Sequence, residues 1–445
     1  MSRRPSGRAW LLAAAAGACG TEPSGTLALT VDNLPVLTRE TSIVVAGTVT
    51  RMPAKATSII VTVTGGAAPA ADTTAATRYE VRVTLTPNAV NALSVSATDA
   101  TGSTSTPSAA TIRHDNQPPT VAQVTPADTS DDAPGSTTVQ VRMSEPVVLV
   151  AGGGVRLSRQ GALITGLTSL SADSLTLTYT PGTPFSPNAV LRVTLGGVND
   201  VAGNPVATTF ASCFATALDG ATASVVYPDS SAPDRVQTDT MGGGTPPLPP
   251  DIVTVRFARE GMLFSGIIRF DGPRTFSYTT PDHANALLDL DTDQDSTTGF
   301  ITFKDSIFKA SPALGDSFSS GTRAEFLVGL EPLPGLGDSA YVGEYTDFLT
   351  FMPLATFLPS MCGPMMGFVL PMSIFGPSED GLMNAILLGL AENATQFILD
   401  PVPIRGHLPL ALPAAGPAPP VYPVPYVMPI GDRSIRLRRP LSPLR

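Results

Sequence analysis

The sequence predicts an all-β protein built from several sandwiches, and three observations carry that prediction. First, 40 glycines and 44 prolines fill about a fifth of the 445 residues, which makes turns abundant and long helices rare. Second, apolar residues recur at every second position in short runs, the period of a strand with one buried and one solvated face. Third, turn residues punctuate these runs at regular intervals, as in domains that bury two sheets against each other. The length allows roughly two to four domains, each with its own core. Hydrophobic residues at 42% exclude wholesale disorder, while charged residues reach only 14%. With 27 basic and 37 acidic side chains the net charge is −10, which argues against nucleic acid as a partner, because that binding rests on Lys and Arg neutralising phosphates.

The chain opens on Arg3, Arg4 and Arg8, continues through an apolar stretch from Ala9 to Ala18, and places the small pair Gly17 and Ala18 ahead of Cys19. A basic region, a short apolar region and a small-residue cut make residues 1–19 an export signal, too short to span a bilayer. The run Ala16-Gly17-Ala18-Cys19 resembles the lipobox of bacterial lipoproteins, with Ala16 where that family usually has Leu. The resemblance implies acylation of Cys19, attachment to a membrane through the N-terminal lipid, and, with Gly20 following, an outer-membrane or cell-surface destination. A plain secretory signal with Cys19 near the cut is the alternative. Beyond it only Cys213 and Cys362 remain. In an oxidising compartment they could pair as a disulfide; two separate buried thiols behaving as small hydrophobes is the other reading, and their spacing decides nothing. The absence of a CxxC or Cys/His cluster argues against structural zinc.

Residues 20–116 read as the first sandwich. Strand candidates run from Thr26 to Val31, Ser42 to Thr50, Ser58 to Thr64, Tyr79 to Leu85 and Ala92 to Thr98, with turns at Gly65-Gly66, Pro87-Asn88 and Thr101-Gly102. The stretch TPNAVNALSVSATDATGSTSTPSAATIRHD is similar to the closing strands of bacterial Ig-like domains, a resemblance that implies a fold and no chemistry. Asn116-Gln117-Pro118-Pro119 then breaks the chain into a semi-rigid spacer. Residues 117–217 form the second sandwich: Ser144-Glu145-Pro146 and Asp200-Val201-Ala202-Gly203-Asn204 resemble the SbsA-type Ig-like domain of S-layer and other envelope proteins. Physically, Asp200 and Asn204 read as locks on a turn in which Gly203 takes positive φ. Gly152-Gly153-Gly154 lacks the Lys-Ser/Thr that a phosphate loop needs and reads as a hairpin turn.

Residues 218–411 read as a third, larger sandwich of jelly-roll type, entered through Gly242-Gly243-Gly244 and Pro246-Pro247-Leu248-Pro249-Pro250. Its strand candidates run from Ile252 to Phe257, Met262 to Phe270, Ala286 to Leu290, Arg323 to Leu330, Phe368 to Ile374 and Met383 to Leu390. Helix competes only at Leu382 to Glu392, where Gly389 costs a helix about 1 kcal/mol relative to Ala and favours strand. The order DIVTVRFAREGMLFSGIIRF, LLDLDTDQDSTTG, GTRAEFLVGL and LPMSIFGPSEDGLMNAILLGL is similar to secreted sandwiches related to DOMON and family-9 carbohydrate-binding domains, which implies a sugar- or ligand-binding role. Expressed separately, 26–116, 119–217 and 218–411 are expected to fold alone with few contacts between them.

The strongest local constellation is Asp289, Asp291, Asp293 and Asp295, four carboxylates at period two closed by Gly299. On an extended chain they share a face and repel unless the chain turns or a cation intervenes, and calcium, with six to eight oxygen ligands, suits that need. No Gly occupies the sixth position and no Glu the twelfth, so this is not an EF-hand loop. An irregular calcium site and a solvated acidic turn both stay open.

Catalytic inventory is thin. His114, His283 and His407 are the only imidazoles, and GxSxG, HExxH and Walker patterns are missing. Glu325 or Glu344 beside the aspartates would supply the paired acids of a glycoside hydrolase, yet nothing in the sequence positions them. Residues 412–445 form a Pro/Ala-rich tail, expected to be extended or disordered, with Arg433, Arg436, Arg438, Arg439 and Arg445 at its basic end. The sequence therefore predicts a non-enzymatic, exported, lipid-anchored envelope protein in which Ig-like sandwiches present a domain for an extracellular glycan or envelope polymer. A secreted polysaccharide hydrolase and a purely structural envelope component are the competing readings.

Overall fold

A computed structural model describes residues 26–52, 58–207, 210–221, 223–228, 236–237, 251–276, 286–302, 304–305, 319–331, 339–347, 350–376, 381–392, 397–403, 407–413, 428–429 and 435–436. The signal segment with Cys19, and His283, lie outside the described residues. The protein is all-β and divides into two compact units, Met1–Gln117 with Ala202–Asn204, and Pro118–Val201 with Pro205–Arg445. Among the described residues no helix is long and apolar enough to cross a membrane, a statement that does not bear on β-barrels.

The first unit contains β1 (Thr26–Leu29), β2 (Leu37–Thr38), β3 (Ser42–Met52), β4 (Ile59–Thr64), β5 (Ala70–Thr74), β6 (Arg78–Thr84), β7 (Val90–Asp99) and β8 (Ser108–His114). They form two sheets, β1-β3-β6 and β2-β8-β7-β4-β5. Period-two alternation is the cause: in β6, Tyr79, Val81 and Val83 are buried while Arg78, Glu80, Arg82 and Thr84 are exposed. Their buried faces join Val45, Val61, Val63, Leu93, Val95 and Ile112 in one core. The candidate strands are all present; β2 and β5 were not among them, because a two-residue strand and the polar AADTT carry little hydrophobic signal, and β8, whose SAAT start is weakly apolar, was covered only by the resemblance to closing Ig-like strands.

The second unit begins with β9 (Val121–Thr125), β10 (Ser130–Ala133), β11 (Val139–Met143), β12 (Val147–Arg159), β13 (Ala162–Ile164), β14 (Gly166–Leu170), β15 (Thr176–Pro181), β16 (Val190–Asp200) and β17 (Ala211–Thr216). Sheets β10-β17-β16-β12-β13 and β14-β15-β11-β9 enclose a core that includes Val139, Leu157, Leu177, Tyr179, Val193 and Phe214. The glycine triplet is not a hairpin turn. It lies inside β12, where the register with β16 shifts between Leu149 and Gly154, and Gly152 and Gly154 have φ of 74° and 136°. A Cβ on Gly153 would fall 2.2 Å from the Gly197 carbonyl oxygen, so this bulge brings two backbones together where no side chain fits. At the expected turn lock, Gly203 has φ of 94°, and the Asn204 amide donates to the Asp115 carbonyl at 2.9 Å.

The unit continues with β18 (Ala223–Pro228), β19 (Val236–Gln237), β20 (Ile252–Glu260), β21 (Leu263–Phe270), β22 (Ala286–Asp291), β23 (Phe300–Ile301), β24 (Arg323–Ala324), β25 (Phe326–Leu330), β26 (Ala340–Asp347), β27 (Thr350–Phe357), β28 (Ser360–Cys362), β29 (Met365–Pro371), β30 (Leu382–Glu392), β31 (Phe397–Val402), β32 (Leu408–Ala411), β33 (Met428–Pro429) and β34 (Ile435–Arg436). A five-stranded sheet β18-β20-β21-β29-β28 packs on a ten-stranded one, β19-β31-β30-β22-β25-β26-β27-β33, with β32 joined to β30 and β34 to β27. Phe257, Phe264, Leu288, Leu290, Val328, Phe368, Met383 and Leu387 fill the space between. Leu382 to Glu392 is strand, paired with β22, β31 and β32. Every residue of β22 and of β25 is buried, so the large sheet is covered on both faces at these two strands, which is why the segments read as near-continuous apolar runs. On the far face Tyr341 lies over Gly329 and Phe351 over Gly343, and the two rings stack with centroids 5.0 Å apart.

The two sandwiches of this unit are not loosely strung, contrary to the expectation of few contacts between 119–217 and 218–411. Val190 and Ala215 pack with Ile267, Cys362 and Met365. Gly367 permits the approach, since a Cβ there would sit 2.6 Å from the Val190 methyl. The Asn188 amide donates to the carbonyls of Arg256 (3.2 Å) and Ser265 (3.3 Å), Arg256 donates to the Asp131 carbonyl at 2.8 Å, and Arg269 pairs with the Asp131 carboxylate. Cys213 and Cys362 are joined as a disulfide across this junction, with Cα atoms 5.5 Å apart. The proline-rich spacer had suggested independence; apolar matching between strand faces, invisible to spacing, overrode it.

Candidate cation site

β22 places the first two aspartates. Leu288 and Leu290 point into the core, so alternation sends Asp289 and Asp291 to the opposite face, where both are buried. Asp289 accepts the Tyr345 hydroxyl at 2.7 Å. Burial, reinforced by Asp289, pushes that phenol well above its ordinary range, so the hydroxyl keeps its proton and donates. Asp291 accepts the Asn384 amide at 2.9 Å, the Thr322 hydroxyl, and the Gln294 backbone N–H at 2.7 Å. That last bond turns the chain out of the sheet, and Gln294 takes φ of 57°.

Within the turn, Asp293 accepts the Asp295 N–H at 2.9 Å and the Thr298 hydroxyl at 2.8 Å. Asp295 accepts the Thr297 N–H at 2.9 Å and its hydroxyl at 2.6 Å, and the hydroxyl foremost holds the carboxyl below its usual range. Gly299, with φ of 68°, closes the turn against Glu325: a Cβ there would lie 2.2 Å from Glu325 Oε1.

Glu325 stands between β24 and β25, fixed by its own N–H to the Leu290 carbonyl (3.0 Å) and its carbonyl to the Tyr345 N–H (2.8 Å). Its Oε2 accepts the Thr292 N–H at 2.8 Å, whereas Oε1 is buried without a hydrogen-bond partner among the described residues. Burial, with smaller contributions from Asp293 and Asp291, pushes this carboxyl up to about 7.

Asp291, Asp293 and Glu325 each offer an oxygen within 4.8 Å of the others. Oxygens that share one calcium at 2.3–2.6 Å stand at most about 5 Å apart, so three hard, anionic donors meet the spacing a calcium ion needs. The orphaned Oε1 and the side-chain-free wall at Gly299 fit the same cation. The sequence had grouped Asp289, Asp291, Asp293 and Asp295. The structure brings together only Asp291 and Asp293 of these, engages Asp289 with Tyr345 and Asp295 with Thr297, and adds Glu325. The signal for Glu325 lay in strand pairing: β22 and β25 are antiparallel neighbours with Leu290 opposite Phe326.

Glu344 is exposed on β26. His114 is buried with Nδ1 accepting the Asn88 N–H at 2.9 Å, and His407 Nδ1 lies 3.0 Å from the Ser320 carbonyl, so neither approaches the acidic turn through any hydrogen bond described.

Residues 115–216 match the family described as bacterial Ig-like domain, a minority of the chain that overlaps the segment read as the second sandwich. No curated protein matches the chain. Among solved structures, it is similar to the N-terminal part of the bacterial S-layer protein SbsC at 13% identity, over 35% of this chain and 41% of that one, with a TM-score of 0.19. It is similar to the BSP domain of a biofilm associated protein at 16% identity, over 42% of this chain and 29% of that one, TM-score 0.16. It is also similar to InvD from Yersinia pseudotuberculosis at 13% identity, over 78% of this chain and 97% of that one, TM-score 0.22. The chain thus spans less than half the length of the first two.

Proposed function

We propose that this chain is a non-catalytic, exported protein of the bacterial cell envelope, anchored through a lipid on Cys19, in which Ig-like sandwiches present the C-terminal sandwich to an extracellular glycan or envelope polymer. The observation that carries this reading is the junction between the second and third sandwiches. A disulfide belongs to an oxidising compartment, and a covalently stapled, polar and apolar joint makes a stiff presenting module rather than a flexible linker. The bacterial Ig-like match over 115–216 supports the same role.

Calcium is the cofactor of this proposal, held by Asp291, Asp293 and Glu325 in place of the four-aspartate set. It would supply the positive charge that offsets three clustered carboxylates and tie the 291–299 turn to β25. Asp289 and Tyr345 support the site from β22 and β26 as a satisfied, buried hydrogen bond.

The deciding experiment applies the exported chain, residues 20–445, to a glycan array in calcium and in chelator, and assays the bound glycans for cleavage. Binding without cleavage is the expected result. Cleavage would favour the hydrolase reading, and silence in both conditions would favour a purely structural component. Mass spectrometry of the mature N-terminus should find an acylated Cys19; an unmodified residue there removes the anchor.

A further inference from the structure

The outer face of the sheet β18-β20-β21-β29-β28 carries a second charged group, opposite in sign to the acidic turn. On β20, Val255 and Phe257 point into the core, so alternation sends Thr254 and Arg256 to the other face; on β21, Ile268 and Phe270 do the same for Ile267 and Arg269. Antiparallel pairing sets Thr254 beside Arg269, Arg256 beside Ile267, and Met365 of β29 beside Arg269. The two arginines therefore stand on a diagonal of neighbouring strands, within reach of one another for long side chains. With Asp131 from β10 of the second sandwich, these residues line a cavity of about 60 Å³. Arg269 and Asp131, at 40% and 42% exposure, form its solvent side.

The charges in this cavity do not all find partners. Arg269 takes the Asp131 carboxylate. Arg256 has only the Asp131 carbonyl, to which Nη1 donates at 2.8 Å; its Nη2 is buried without a hydrogen-bond partner among the described residues, and no bond there engages Nε. Burial foremost pulls the Arg256 guanidinium below its ordinary value, opposed by Asp131 and by the exposed Asp132, and an arginine so placed stays charged. A cation taken partly out of water with no carboxylate bonded to it is costly, and a bound anion offsets that cost. The Nε–H and Nη2–H of a guanidinium lie along one edge and point the same way, a fork that grips both oxygens of a carboxylate. Engaging Nη1 with a carbonyl leaves that edge uncommitted. The Thr254 hydroxyl, on the same face of β20, is a further donor.

We propose that this cavity is a seat for a carboxylate, held by the Nε–Nη2 edge of Arg256 and the hydroxyl of Thr254, and that the group it takes belongs to a uronic acid of an acidic polysaccharide. The seat stands on geometry and charge; the sugar that carries the carboxylate rests on the glycan role proposed above. Pockets that enclose a whole small molecule hold roughly 300–1,000 Å³, so this one takes in a single functional group and leaves the sugar ring outside. Asp131 sets the charge of the guest. With one carboxylate already on Arg269, a monoanion balances the two arginines that line the cavity, and a phosphate dianion exceeds them. Ile267 and Met365 are buried and form an apolar wall, beside which the new ion pair is weakly screened. Both belong to the joint stapled by Cys213 and Cys362, which holds the seat in shape before a ligand arrives.

Titrations of the exported chain, residues 20–445, with trigalacturonate, the neutral galactose trimer and sodium sulfate test this, binding being read by calorimetry and by the arginine Nε–Hε resonances. Trigalacturonate should bind and move the Arg256 resonance, and the neutral trimer should do neither. Arg256→Gln and Arg256→Lys should each weaken binding by about tenfold or more, the lysine because it keeps the charge and loses the fork. Thr254→Glu, which builds a carboxylate into the seat, should abolish binding without lowering the melting temperature, and it decides alone should the Arg256 variants fail to fold. Equal affinity for both trimers, or affinity for trigalacturonate unchanged by Arg256→Gln or by Thr254→Glu, overturns the seat. Sulfate bound in place of trigalacturonate overturns the carboxylate. An Arg256 resonance unmoved by trigalacturonate overturns the seat even where neutral glycans bind, and so leaves the glycan role standing. Conversely, an array that retains no glycan while free galacturonate still moves that resonance removes the glycan role and supports the seat.

Discussion

Two turns of this protein begin alike and resolve their charge in opposite ways. At the end of β7, Asp99 leads into Thr101, Gly102 and Ser103; at the end of β22, Asp291 leads into Asp293, Asp295, Thr297 and Gly299. Asp99 is met by Arg51 Nε at 2.7 Å, by the Thr101 N–H at 2.9 Å and hydroxyl at 2.6 Å, and by the Ser103 N–H at 3.0 Å. The Thr101 hydroxyl foremost, then the Arg51 guanidinium, hold its carboxyl well below the usual range against the opposing effect of burial. In the second turn no Lys or Arg pairs with Asp291, Asp293 or Glu325 among the described residues, and Arg323 bonds the Gly299 carbonyl instead, at 3.4 Å. The same local chemistry is thus complete in one place and short of a cation in the other. A carboxylate with its counter-charge built in is structural; one without it marks where an ion is called for.

The largest expected effect contrasts covalent with ionic closure. Replacing Cys213 and Cys362 together by Ser opens a loop spanning 149 residues and should destabilise the second unit by up to about 5 kcal/mol on the chain-entropy scale, with measured cases commonly about 2–4. Urea melts followed by hydrogen exchange should locate the loss in 118–445 and leave β3 to β7 unmoved. Equal loss in both regions would mean the cross-link acts on the whole chain.

Arg51→Met comes next, because it leaves Asp99 buried without its cation. Exchange protection and thermal stability of the first unit should fall, the latter by on the order of ten degrees. The Thr101 hydroxyl bond foremost, together with the Arg51 ion pair, also predicts a pH response. Since the folded-state value of Asp99 lies below its unfolded value of about 4, its stabilisation is complete above that pH and is lost as pH falls through and below it. Acid should therefore loosen β3 and β7 in the wild type, and Arg51→Met should lessen that dependence without abolishing it, since the Thr101 and Ser103 bonds remain. A slope unchanged by the substitution would assign acid lability to other groups.

For the second turn, calcium at a hundredfold excess over its dissociation constant should raise stability by about 2.7 kcal/mol. Asp291→Asn with Asp293→Asn, or Glu325→Gln alone, should abolish the calcium-dependent rise; Glu325→Gln should leave the chelated protein no less stable because the burial of a carboxylate is relieved, whereas the paired Asp change also costs the hydrogen bonds that Asn384 and Thr322 donate to Asp291. Melting temperatures identical in chelator and in millimolar calcium would remove the site. The smallest effect is the control: Asp295→Asn should keep the calcium response, because its carboxylate is engaged by Thr297. Loss of the response there would return the site to the four-aspartate arrangement.

What the chain determined by itself is local and periodic. The alternation of Tyr79, Val81 and Val83 in β6 defines a half-buried strand without any knowledge of its partner, and the all-β class follows from many such runs. The covered strands β22 and β25 were equally legible as apolar stretches between breakers, as was the acidic turn that ends at Gly299. Tertiary structure decided everything that depends on which strands meet. Leu382 to Glu392, open to helix by periodicity, is a strand because β22, β31 and β32 take up its backbone bonds. The glycine triplet at 152–154 became a bulge because Gly196 and Gly197 lie opposite. Cys213 found Cys362, Glu325 joined Asp291 and Asp293, and the tail reached β27, all across separations that no spacing rule spans. Side-chain period is a property of adjacent residues, whereas register is fixed by the burial of whole faces, and only the folded chain brings those faces together.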